Sequence, residues 1–137
     1  MARKLNAPEV TPETQPFWDA AAEGRLLIKR CGVCGEAFYY PRALCPFCLS
    51  ADTQWFETSG AGAIYSLSTM RRGPDAPFTL AYVTLDEGPA VLTNIATDDH
   101  DALAIGTRVR VRFVPSEGGA PYPMFAPESD TASSPRP

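Results

Sequence analysis

Hydrophobic and polar positions divide this chain into a short helical stretch, a hairpin region rich in cysteine, and a run of strands. Residues 1–10 show no period and read as an extended arm. Thr11-Pro12-Glu13-Thr14 carries helix-start chemistry: a hydroxyl cap, then a proline whose missing N–H costs nothing in the first turn. Phe17, Trp18, Ala21 and Ala22 follow at helical spacing, and Gly24 supplies a stop. The plain role of this helix is to cover the core. The alternative is that Phe17 and Trp18 belong to a partner interface, where aromatics are enriched.

Residues 26–30 predict a strand, and residues 38–41 a return strand ended by Pro41. From residue 53 the pattern is strands. Residues 63–70 mix apolar and hydroxyl side chains. Residues 78–85 are a nearly continuous apolar run, as expected of a strand buried on both faces. Asp86-Glu87-Gly88-Pro89 turns that run into 91–96, a hairpin. Ile105-Gly106-Thr107 leads into 108–114, where Val109, Val111 and Phe113 face one way and Arg108, Arg110 and Arg112 the other. About five short strands suit a small, closed or partly open barrel of the OB type. After Pro115 the period is lost. Gly118, Gly119, Pro121 and Pro123 predict a loop anchored by Tyr122, Met124 and Phe125, and residues 128–137 a disordered polar tail.

Cysteine placement changes the picture most. Cys31-Gly-Val-Cys34 and Cys45-Pro-Phe-Cys48 stand ten residues apart. Each pair puts two thiolates on one tight turn, and two facing turns make a tetrahedral four-sulfur cage, the geometry of a closed structural zinc site. Strand, knuckle, strand, knuckle is the order of a zinc ribbon. Iron takes the same ligands, so a redox-active centre is an alternative. Gly35 follows the first knuckle, where a positive φ is often needed. Leu49 holds the matching place after the second and predicts a less regular turn there. The fold class is therefore mainly β: an N-terminal arm and helix (1–24), a zinc ribbon (25–52), an OB-type barrel (53–127) and a tail (128–137).

The chain has 137 residues and a 45% hydrophobic content, enough for a folded domain, but a ribbon of about twenty-five residues needs its metal in place of a core. A net charge of −4 argues against general nucleic-acid binding, which phosphate neutralisation dominates. The N-terminal residues contain no apolar export segment, and no stretch is long enough to span a membrane. With reduced cysteines, these features predict a cytoplasmic protein with no membrane partner.

Catalytic residues are not evident. A zinc cage leaves no thiol for nucleophilic chemistry. His100, the single histidine, lies in Thr97-Asp98-Asp99-His100-Asp101 and reads as a solvated loop residue. Asp86 and Glu87 are adjacent, so in a strand they would point to opposite faces and not share a proton; a polar turn is the simpler reading.

The run Arg30-Cys31-Gly-Val-Cys34-Gly-Glu-Ala-Phe38, with Pro41-Arg42 and Cys45-Pro-Phe-Cys48, resembles a rubredoxin-like zinc ribbon. Ser59-Gly60-Ala-Gly62-Ala-Ile-Tyr65-Ser66, Leu85-Asp86-Glu87-Gly88 and Ile105-Gly106 resemble the OB-fold joined to that ribbon in a family associated with acyl-CoA enzymes. The resemblance runs from about Phe17 to Phe125. It implies a non-catalytic accessory subunit whose partner is a thiolase-fold or hydratase-fold enzyme, with structural Zn²⁺ on Cys31, Cys34, Cys45 and Cys48 and a CoA thioester as a shared ligand. CoA carries a diphosphate and a ribose phosphate, which guanidinium groups match in pairs. Arg71 and Arg72 are the candidate phosphate contacts. The 108–112 arginines are a second set, and Tyr65 a candidate to stack on adenine. In each case a solvated or rim position is the simpler alternative. Rival functions are a zinc-ribbon/OB-fold nucleic-acid-binding module and a rubredoxin-like iron electron carrier.

Overall fold

In the computed structural model, which describes residues 5–74 and 76–128, helix α1 spans Gln15–Ala22 and starts after Thr14, not Thr11. Thr11 and Thr14 close a turn on each other: Thr14 N donates to Thr11 O at 3.0 Å, and Thr11 N to Thr14 Oγ1 at 3.0 Å. The hydroxyls thus shape the approach to the helix and make no cap bond to it. The stop falls where expected. Gly24 takes φ +81°, Gly24 N donates to Ala21 O and Arg25 N to Ala20 O, the two bonds of a Schellman ending. Phe17, Trp18, Ala20 and Ala21 are buried and Ala22 is exposed. Phe17 and Trp18 therefore belong to the core.

Strands β1 (Leu27–Cys31), β2 (Ala37–Phe38) and β3 (Thr53–Glu57) form an antiparallel sheet in the order β2-β1-β3. Five further strands, β4 (Ala61–Met70), β5 (Phe78–Leu85), β6 (Ala90–Asn94), β7 (Arg108–Val114) and β8 (Tyr122–Pro127), form a curled sheet in the order β6-β5-β4-β7-β8. Its ends meet at one parallel bridge, Ile95 to Phe125, with Ala96 N donating to Phe125 O at 2.8 Å. This is a partly open five-stranded OB barrel, and the fold class matches the expectation.

β4 serves two neighbours. Tyr65 is the extra residue of a bulge between the Ile64–Val83 and Ser66–Tyr82 pairs, and a bulge bends and twists its strand. Just before it β4 pairs with β7, Gly62 opposite Val109. On its other side a Cβ at Gly62 would lie 2.5 Å from Thr84 O of β5, so glycine is what allows the β4 and β5 backbones to approach there.

Three expectations need correction. The return strand expected over 38–41 is only the two-residue β2, and residues 39–41 lie outside it. β5 is not buried on both faces: Thr79, Ala81, Val83 and Leu85 point inward, while Leu80, Tyr82 and Thr84 are exposed. Its apolar run hid a one-sided strand. The segment around Tyr122 is also not a loop, because β8 pairs with β7 along its whole length. Phe125 O faces the barrel seam, and alternate residues share an edge, so Pro123 and Pro127 sit where a missing N–H costs β7 nothing. The predicted tail from 129 onward lies outside the described residues.

One core serves both sheets. Phe17, Trp18, Leu26 and Ile28 pack with Ile64, Val83, Leu85, Val91, Val109 and Phe125. The helix is the wedge: Phe17 meets Trp18, Tyr39 and Tyr40 edge-on at 4.9, 5.9 and 5.7 Å, and Trp18 meets Tyr122 at 5.6 Å. The arm closes over this cluster through Tyr122 OH, which donates to Asn6 O at 2.8 Å, and Glu117 N, which donates to Leu5 O at 2.9 Å.

Candidate functional site

The two knuckles fold alike. Gly35 N donates to Cys31 O at 3.1 Å and Leu49 N to Cys45 O at 2.9 Å; Cys31 N reaches Glu36 O and Cys45 N reaches Ser50 O, both at 2.9 Å. Leu49 achieves this by taking φ +67°, close to the +79° of Gly35. The second turn is as regular as the first, contrary to expectation, and the departure from glycine appears as backbone strain instead.

All four sulfurs lie within 4.8 Å of one another, with Cys31 to Cys48 and Cys34 to Cys45 both at 3.6 Å. A Zn–S bond of about 2.3 Å makes a tetrahedron with edges of about 3.8 Å, so the cage has the right size, whereas a disulfide needs about 2.05 Å. Amides supply a second shell. Val33 N and Cys34 N point at Cys31 Sγ at 3.3 and 3.4 Å, and Phe47 N points at Cys45 Sγ at 3.3 Å. The Cys34 amide, aided by Val33, draws the Cys31 thiol down to about 6. At Cys34 the Glu36 amide acts in the same direction, yet burial and the neighbouring sulfurs push the thiol up to about 12. At Cys48 the Ser50 amide is likewise outweighed, first by Cys31, and the thiol rises. Four thiolates at this spacing repel one another, and a divalent cation is what lets all four ionise. The donor set and its size therefore fit zinc.

Sites suggested elsewhere disperse. Arg71 Nη2 pairs with Asp101 Oδ1 at 2.6 Å on the surface, and Arg72 is exposed in the bend that follows. Arg108 makes a two-pronged pair with Asp86 at 3.0 and 2.9 Å. Its guanidinium is the first cause that holds the Asp86 carboxyl below the ordinary value of 3.8. Arg110 donates to Ser59 O at 3.1 Å and lies 3.9 Å from Glu128. Two of the three strand arginines thus brace the barrel. Glu87 turns away from Asp86 and accepts Ser59 N at 2.8 Å, so these carboxylates do not share a site. Tyr65 is 68% exposed at its bulge.

His100 is not a merely solvated residue. Its Nδ1 lies 2.9 Å from the Oγ1 of fully buried Thr79, which is 2.8 Å from Thr69 Oγ1. Nothing in the local sequence marks that chain, because it joins three elements. Sequence reasoning also missed a groove of about 650 Å³ between β6, β8, the arm and the aromatic cluster, lined among others by Trp18, Tyr39, Tyr40, Leu92, Asn94 and Met124. No helix among the described residues is long and apolar enough to cross a membrane.

Comparison with known proteins follows the two halves of the fold. Residues 18–54 match the model of the ChsH2 rubredoxin-like zinc ribbon domain, and residues 55–114 that of the ChsH2 C-terminal OB-fold domain. A probable enoyl-CoA hydratase alpha subunit of Thermomonospora curvata is 29% identical over 88% of this chain, which spans only 39% of that protein's length. A DUF35 domain-containing scaffold protein of Methanothermobacter thermautotrophicus is 33% identical, over 64% of this chain and 71% of its own. Among solved structures, a chain of the Ltp2-ChsH2(DUF35) aldolase superposes with a TM-score of 0.76 at 29% identity, covering 88% of this chain and 98% of that one. A DUF35 protein of unknown function from Sulfolobus solfataricus shares the fold, with a TM-score of 0.63 at 12% identity over 86% and 87% of the two chains.

Proposed function

This chain belongs to the ChsH2-type DUF35 family of paired zinc-ribbon and OB-fold domains, and we propose that it is a non-catalytic subunit of an acyl-CoA-processing enzyme. The observation that carries the reading is its likeness, over 98% of the matched chain, to part of an aldolase assembled from Ltp2 and ChsH2(DUF35). The names of the relatives, a hydratase subunit and scaffold proteins, support the same reading.

In this reading the partner is a thiolase-fold or hydratase-fold enzyme that supplies the catalytic groups, and this chain stabilises it and helps to position acyl-CoA. Zinc on Cys31, Cys34, Cys45 and Cys48 is structural: with four protein ligands the ion has no open position for substrate. Its work is to hold the knuckles and, through β1, the wedge on which the barrel rests. Arg71 and Arg72 are the CoA-phosphate contacts. The Arg71–Asp101 pair is exposed on both sides, so it contributes little and exchanges readily for a phosphate.

The test is affinity purification of the tagged chain from its native host, with the co-purifying chains identified by mass spectrometry. Stoichiometric recovery of a thiolase-fold or hydratase-fold enzyme is the expected result. Recovery of the chain alone, in repeated preparations at low salt, would overturn the proposal.

A further inference from the structure

Among the described residues, the barrel seam combines strand edges that pair only at the Ile95–Phe125 end with a groove. β6 and β8 run parallel and touch at the Ile95–Phe125 bridge. The groove lies between their preceding segments, Leu92 to Asn94 on one side and Tyr122 to Met124 on the other, with Trp18, Tyr39 and Tyr40 beside them. The edge of β6 that faces it can be read from the β5 ladder. Leu85 N donates to Pro89 O, and Ile95 N to Thr79 O, so the hydrogen-bonded pairs fall on odd residues of β6. The backbone groups of Ala90, Leu92 and Asn94 consequently point away from β5 and towards the seam, where the Asn94 carbonyl already accepts Thr93 Oγ1 at 3.2 Å. β8 offers less on its side, because Pro123 has no N–H there.

We propose that this seam is a strand-acceptor site, in which an extended, basic segment of the partner enzyme lies along β6 and completes the barrel. The inference rests on the accessory-subunit reading and names the surface through which it operates. Three observations select this occupant. First, main-chain donors and acceptors recurring at every second residue are what an extended peptide satisfies, the basis of strand addition. Second, among the described residues the groove is lined by Glu9 and Glu13 and by no lysine, arginine or histidine, a lining that repels the phosphates of CoA and favours a cationic guest. Third, two residues that line it, Trp18 and Asn94, each carry a buried side-chain polar atom, Nε1 and Oδ1, that has no partner among the described residues. Leu92 and Tyr82, paired across β6 and β5 and both exposed, extend an apolar rim for the guest's side chains.

The test compares amide hydrogen exchange in the intact co-purified complex and in the chain alone. Exchange at Leu92 and Asn94 should slow by about tenfold or more on assembly, while Val91 and Thr93, already bonded to β5, change little. Leu92→Pro removes a donor that β5 does not use. It should weaken assembly roughly tenfold with metal content and melting temperature near those of the parent. Glu9→Lys, which leaves the backbone alone, should weaken it about threefold or more at low salt. A complex that forms with unchanged exchange at both amides, and with both variants binding like the parent, would overturn the seam proposal and leave the accessory-subunit reading standing. Absence of any complex removes both. Protection already present in the isolated chain would also overturn it. It would point to a second copy if the mass doubles, or to the chain's own residues 129–137 if their deletion abolishes it.

Discussion

Leu49 shows how a single residue can carry strain for the sake of a metal turn. Its φ of +67° is a conformation that costs an L-residue about 1–2 kcal/mol, and its side chain is 71% exposed, so no burial offsets the cost. Leu49→Gly should therefore raise the stability of the zinc-loaded protein by about 1 kcal/mol, read from denaturant unfolding. Asp86 makes the opposite case, a residue stabilised by its partner. Its folded value lies below the ordinary 3.8, so the contribution is complete above that value and is lost as pH falls through the folded one. In Arg108→Ala, NMR titration should return the Asp86 carboxyl towards 3.8, and the loss of stability that this group causes in acid should disappear. The cysteines were legible in sequence because ligand type and spacing are local properties. The bond from His100 to Thr79 was not, since twenty-one positions separate the two and only the fold brings them together.

At the scale of elements, the ribbon depends on its ion and the barrel on close strand approach. Cys45→Ser should remove metal from the cage and cost several kcal/mol, exposing the neighbouring core; melting temperature and metal stoichiometry measured together check this. Retention of both would contradict the four-ligand assignment. Gly62→Ala places a methyl group against Thr84 O and should cost about 2 kcal/mol in thermal unfolding, with the β4–β5 amides losing protection first. Alternation revealed β7 because its two faces differ in polarity. It failed for β5, where apolar residues occupy the outward face as well, and for β8, where prolines imitate a loop while sitting at harmless positions on a strand edge.

The whole molecule is held by a core shared between ribbon, helix and barrel. If Arg71 and Arg72 hold CoA phosphates, the double alanine variant should raise the KM of the assembled enzyme for acyl-CoA about tenfold, without loss of assembly. An unchanged KM would return both side chains to the solvated surface.

What the sequence determined alone is the set of features written in neighbouring residues: the four ligands, the helix stop at Gly24, the β5–β6 turn and the class of architecture. Tertiary structure decided the rest. It paired β3 with β1 across a gap of more than twenty residues, spent Arg108 and Arg110 on bracing, buried Phe17 and Trp18 as a wedge, and left the seam between β6 and β8 open. The physical reason is range. Ligand spacing and turn conformation are fixed by bonds a few residues apart, whereas strand pairing, charge pairing and groove shape depend on which distant segments the hydrophobic core brings together.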